Sequence, residues 1–204
     1  MAQDWNPPET DAVNATLIPR KRRMERIALG TSPRDSLSTG YADFRHFPLT
    51  RAVFISIRKA DFSHARSPKN QHGVDQGISL SSITCTDVIF DRARVFHTLD
   101  GQFTDCSFKG VGTERCGVTG TFTDCDFTGT SFRNAHFKAN FVRCRFIDCN
   151  LHLASWPSSF EDCEFSGARI DDIFSDIREV ATASERVTFA VVGSSVFPGE
   201  TRHY

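Results

Sequence analysis

Four segments of this chain line up on one another at a fixed interval. Phe103-Thr-Asp-Cys-Ser-Phe108, Phe122-Thr-Asp-Cys-Asp-Phe127, Phe141-Val-Arg-Cys-Arg-Phe146 and Phe160-Glu-Asp-Cys-Glu-Phe165 each begin 19 residues after the one before. Inside that interval runs a shorter one. Large apolar residues fall at Phe122, Phe127, Phe132 and Phe137, then at Phe141, Phe146, Leu151 and Trp156, then at Phe160, Phe165 and Ile170. Each unit therefore steps by five, five, five and four. A small residue stands two places before most of them, as Cys125, Thr130, Ala135, Cys144, Cys149 and Cys163 do. Residues two apart on an extended chain point the same way. Both can face one interior while the other three of each five face water.

A step of five matches neither the helical period nor simple strand alternation. It suits a chain that turns a corner every five residues. Four such sides close a square coil. Coils stacked about 4.8 Å apart pair their backbones and place equivalent residues over one another. The expected fold is all-β, a right-handed four-sided β-helix. Phe122, Phe127, Phe132, Phe137, Phe141, Phe146, Leu151, Phe160 and Phe165 are its candidate core, with Cys125, Cys144 and Cys163 stacked in the small slot. The composition agrees, since 19 Phe stand against only 2 Tyr and 2 Trp, as one repeated Phe-sized slot requires.

These motifs resemble the pentapeptide-repeat family, whose unit is Ala-(Asp/Asn)-Leu-x-x with Phe and Cys as common substitutes. Cys149-Asn150-Leu151, Ala135-His136-Phe137, Cys163-Glu164-Phe165 and Ala168-Arg169-Ile170 fit it well. The resemblance is close over 101–170 and looser over 42–100, where Ala42-Asp43-Phe44, Ala52-Val53-Phe54 and Ala60-Asp61-Phe62 still fit. Thr113 stands where a large apolar residue is expected, so a bulge is expected over 109–117.

Three regions follow. Residues 1–40, polar and carrying the basic run Arg20-Lys-Arg-Arg23, are expected as a flexible or loosely docked arm. Residues 41–170 form the β-helix, interrupted by a projecting polar loop at 66–77 that contains Pro68, Gly73 and Gly77. After Ile170 the spacing turns helical and then strand-like, so 171–204 is expected as a small helix/strand cap and tail. It is also a candidate homodimer contact.

The chemistry-bearing residues do not converge. The thiols form a column, not the close pairs and tetrahedron of a zinc site, and they face a Phe-lined interior. No metal and no cofactor are expected. The His residues are scattered, no nucleophile-base order appears, and Gly110-Val111-Gly112 follows no helix-opening pattern that would make it a phosphate loop. An enzyme is not expected. A net charge of -1 gives no global field for nucleic acid or an anionic membrane. No stretch approaches the roughly 20 apolar residues of a membrane span. The first residues lack a secretory pattern, so seven reduced cysteines in the cytoplasm are expected.

Charge is more informative by position. Asp105, Asp124, Arg143 and Asp162 share one place in successive units, and Ser107, Asp126, Arg145 and Glu164 share another. Cross-strand contact should make these columns a stabilising ladder. The expected function is that of a non-enzymatic protein-binding solenoid, a scaffold or immunity-type protein. Arg66, Lys69, Asn70, Gln71, His72 and Asp75 of the loop are the candidate contacts. The family resemblance implies an alternative: a DNA-mimic that binds gyrase or topoisomerase IV and protects it from quinolones or toxins.

Overall fold

The computed structural model describes residues 5–18, 27–29, 32–34, 37–94, 96–113, 115–155, 159–169 and 188–189. Among the described residues the chain winds into a β-solenoid of about six turns with one short helix. Every pairing between its strands is parallel, and each coil lies on the next. The main stack is built by β4 (Ile55–Asp61), β5 (Ile78–Ile89), β6 (Phe96–Thr104), β7 (Gly117–Thr123), β8 (His136–Val142) and β10 (Ser159–Glu161), with β1 (Ile27–Ala28), β2 (Ala42–Asp43) and β3 (Arg51–Val53) beside its first coils. On a second side β9 (Arg145–Ile147) pairs with β11 (Glu164–Ser166), and β11 with β12 (Thr188–Phe189). The rest of the segment expected as a C-terminal cap lies outside the described residues.

Register gives the core its columns. Phe103, Phe122, Phe141 and Phe160 face one another across successive strands. Their rings stack at 4.6, 5.0 and 5.3 Å. A second column runs Phe62, Phe90, Phe108, Phe127, Phe146 and Phe165, with centroids 4.9 to 5.6 Å apart. Between columns the rings meet edge to face, as Phe141 and Phe146 do at 5.2 Å and 82°. Both geometries suit the aromatic quadrupole. All nine large core residues named from the repeat are buried, Phe137 being the most exposed at 5%.

The small slot has a polar duty that the repeat alone does not reveal. Its side chain points at a carbonyl of the preceding coil. Cys125 donates to Phe103 O, Cys144 to Phe122 O, Cys163 to Phe141 O and Cys149 to Phe127 O. Thr130 makes the same bond to Phe108 O at 2.6 Å. Cysteine thus fits as a small residue with a weak donor. Burial pushes the Cys116 and Cys149 thiols up to about 12, so both stay protonated at neutral pH.

The register agrees with the bulge expected over 109–117: the offset to the preceding coil is 18 residues at Arg94–Gly112 and 19 at Thr98–Gly117, so one extra residue is taken up between them. Thr113 is fully buried in the large-residue slot, and its hydroxyl donates to Ser131 O at 2.7 Å. Gly112 keeps register with Ser131. The hydroxyl finds a partner, so the slot accepts a polar residue.

Coil length is not uniform. Phe103 to Phe122 is 19 residues, but Cys85 to Phe103 and Asp43 to Asp61 are 18. Two register shifts, between Ile78 and Ser79 and between Leu80 and Ile83, offset one another, and the lasting change from 18 to 19 falls between the Arg94–Gly112 and Thr98–Gly117 pairings. The step from Ile57 to Cys85 is 28, because the hairpin at 67–77 is inserted there.

Within the segment expected as an arm, helix α1 (Pro7–Leu17) is seated against the first coil. Asn6 caps it by accepting from Glu9 N, and Pro7 opens it without losing a needed donor. Leu17 is fully buried. Trp5 stacks on Phe44, meets Phe47 edge-on at 4.9 Å and donates from Nε1 to Arg45 O. These contacts cover the first aromatic layer, which would otherwise face water. No described helix is long and apolar enough to cross a membrane.

Candidate functional site

Corners dominate the surface of this rod, and at two of its edges they carry a left-handed backbone. At one edge φ is 48–56° for Lys59, Asp87, Asp105, Asp124, Arg143 and Asp162. At the next edge it is 52–69° for His46, His64, Arg92, Gly110, Gly129 and Asp148. That region favours Gly, Asn and Asp among ordinary residues. Much of the aspartate at the first edge therefore answers a backbone demand.

The first edge and its neighbouring face form the ladder expected from the repeat. Arg143 holds Asp124 with both prongs, Nε to Oδ1 at 2.7 Å and Nη2 to Oδ2 at 2.6 Å. The hydrogen bonds and charge of Arg143 hold the Asp124 carboxyl below its ordinary range. Arg145 reaches Glu164 at 3.2 Å on one side and Asp126 at 3.7 Å on the other, and Lys109 also reaches Asp126 at 3.2 Å. These opposite charges are engaged with one another.

Of the loop residues, Lys69, Asn70, Gln71, His72 and Asp75 sit together on a small hairpin, all exposed. Lys69 and Asp75 pair antiparallel. Asn70 Oδ1 accepts from His72 N and Val74 N, and Gly73, at φ 75°, makes the turn. Ser67 Oγ accepts from Gly77 N at 2.8 Å, so the two ends of the hairpin meet. Val74 is 59% exposed at the tip. Arg66 stands apart from this group. It belongs to the coil stack, in register with Arg94 one coil on.

A third feature escapes a reading by repeat alone. Down the second edge, Arg92 is followed by Gly110, Gly129 and then Asp148, each bonded to the coil after it. On the adjoining face, Arg66 and Arg94 are followed by Gly112, Ser131 and then Asn150. Two successive coils thus lack side chains of any length at both places. The gap is a groove of about 590 Å³ with Val111 in its floor and His64, Arg66, Arg92 and Arg94 along its wall. It continues into a second hollow of about 420 Å³ beside Asp91 and Lys109. Asp91 is occupied there, accepting from Ser107 Oγ and Lys109 N. Among the described residues, no carboxylate lies within ion-pair distance of Arg66, Arg92 or Arg94. His64 stacks on His46 at 5.0 Å. Burial first, then the charges of His46, Arg92 and Arg66, hold its imidazole below the ordinary range, with Asp61 opposing. Arg66, Arg92 and Arg94 make the neighbourhood positive at neutral pH.

The Arg92–Gly110 step is 18 residues and the Arg66–Arg94 step is 28, so the 19-residue period does not align them. The signal that finds them is the column of left-handed corners, which needs the backbone.

Residues 121–155 match the family model for pentapeptide repeats, in 8 copies. No curated protein matches the chain. Among solved structures it is similar to QnrB1, a plasmid-mediated fluoroquinolone resistance protein, with 13% identity, a TM-score of 0.29 and coverage of 86% of this chain and 88% of that one. It is also similar to HetL, a pentapeptide-repeat protein involved in heterocyst differentiation regulation in the cyanobacterium Nostoc, with 14% identity, a TM-score of 0.24 and coverage of 82% and 91%. The matched repeats lie in column register with the coils before and after them, so residues 121–155 are pentapeptide repeats within the β-solenoid.

Proposed function

We propose that this β-helix is a non-enzymatic binding protein, a scaffold or immunity-type molecule that engages a protein partner through the hairpin at 67–77. The observation that carries this reading is the hairpin's construction. It leaves an otherwise continuous stack, is braced by its own hydrogen bonds, and exposes Lys69, Gln71, His72, Val74 and Asp75. A preformed hairpin on a rigid rod loses little conformational freedom on association. An apolar tip ringed by polar groups is a common form of contact residue.

The test is to delete residues 68–76, whose flanks already meet at Ser67 and Gly77. Affinity capture from the host extract is then compared between intact and shortened chains. This reading expects a stoichiometric partner lost with the hairpin while the melting temperature changes little. An unchanged partner profile counts against it.

The DNA-mimic alternative draws its support from Asp87, Asp105, Asp124 and Asp162 at one edge. A mimic needs sustained negative charge, as a duplex has. Arg143 interrupts that edge and neutralises Asp124. Inhibition or protection of supercoiling by the host's gyrase in the presence of the purified protein would favour this alternative over the first.

A further inference from the structure

We propose that the groove walled by Arg66, Arg92 and Arg94 is a binding site for a phosphomonoester group. This goes beyond the hairpin reading and does not rest on it, because the groove lies in the coil stack and survives removal of the hairpin.

Three guanidinium groups on two adjacent coils face one gap. Each is a planar fork suited to an oxyanion. A phosphomonoester carries about -1.5 to -2 charges near neutral pH and three acceptor oxygens. It can take bonds from more than one fork and balance most of the arginine charge. A lone carboxylate offers one charge and two oxygens, which leaves guanidinium groups unanswered. The glycine amides are not the ligands: Gly110 N donates to Thr128 O and Gly129 N to Ile147 O. The glycines contribute space, and the arginines contribute recognition.

The groove is also short. One coil past Gly129 and Ser131 the same two columns carry Asp148 and Asn150. Duplex nucleic acid needs a long basic track to release its counterions. Here the track meets a carboxylate after two coils. A single phosphate and its immediate carrier fit that length, and a polyanion does not.

The test is isothermal titration calorimetry on the full chain with phosphoserine, inorganic phosphate, aspartate and a short DNA duplex. Phosphoserine and inorganic phosphate should each bind saturably at one site per chain. Aspartate should bind about tenfold more weakly or worse, consistent with the loss of charge-assisted bonds. Arg92→Gln with Arg94→Gln should weaken phosphoserine by at least about tenfold. Ser131→Glu, which places a carboxylate in the gap, should do the same even if the double variant folds poorly. Arg133→Gln, outside the groove lining, should leave binding unchanged. The proposal is overturned by absence of saturable binding, by phosphate binding without phosphoserine, by equal binding of aspartate, or by tighter binding of DNA. Retention of binding in either groove variant overturns it as well.

Discussion

Two edges of this rod share one backbone conformation and differ in how their charges are used. At the Asp124 edge, opposite charges of the later coils close on one another, Arg143 on Asp124 and, on the adjoining face, Arg145 on Asp126 and Glu164. At the Arg92 edge, like charges gather, and two coils of glycine and serine leave space beside them. Cross-strand opposite charges stabilise a sheet and like charges cost roughly 0.2–1 kcal/mol a pair. The first edge is therefore arranged for the stack. The second is arranged against it, and a locally costly arrangement is where function is to be sought. Net charge hides this, because a total of -1 does not record where along the coils the charges stand.

The largest expected effect removes what both edges stand on. Phe127→Ala or Phe146→Ala should cost about 3–5 kcal/mol in chemical denaturation, since both rings are fully buried between stacked neighbours. Arg133→Ala, on an exposed position, should stay within about 0.5 kcal/mol. Equal losses would dissolve the distinction between interior columns and surface columns.

Next is Arg143→Ser, which should lower stability at neutral pH. The sign with pH follows from Asp124. Its folded pKa is depressed, so its contribution is present above the unfolded carboxylate pKa and is lost as pH falls through the folded value. The wild type and Arg143→Ser should converge in melting temperature as the solution is acidified through the carboxylate range. A gap that widens with acidification would contradict the pairing. The exposed setting of this pair keeps the effect modest.

The smallest effect concerns the other edge. Arg92→Gln with Arg94→Gln should leave the melting temperature unchanged or slightly raised, because it relieves like-charge contact. A clear loss would mean that these arginines serve the stack after all. The paired outcome, loss at Arg143 and none at Arg92 and Arg94, is what the comparison requires.

The coil itself was legible in the residues. Steps of five with a large and a small residue two apart define the side, and Cys106, Cys125, Cys144 and Cys163 mark the turn. The register change near Thr113 had a sign in the sequence, whereas the bond of its hydroxyl to a carbonyl of the next coil did not. The seating of Trp5 and α1 on Phe44 and Phe47 is a long-range contact with no periodic sign. The groove was illegible for a different reason. Its walls come from coils of 18 and 28 residues, so alignment by 19 separates residues that the backbone brings together. Arg66 looked like part of a loop for the same cause, although it stands in register with Arg94.

The central claim is that one set of arginines is engaged within the fold and the other is available to a ligand. NMR of the arginine Nε–H groups measures this directly. The Nε–H of Arg143, donated to Asp124 at 2.7 Å, should exchange slowly with water. Those of Arg66, Arg92 and Arg94 should exchange as in a free side chain and slow when phosphoserine is added. Uniform exchange across all four, or protection of the Arg92 group without ligand, would contradict the account.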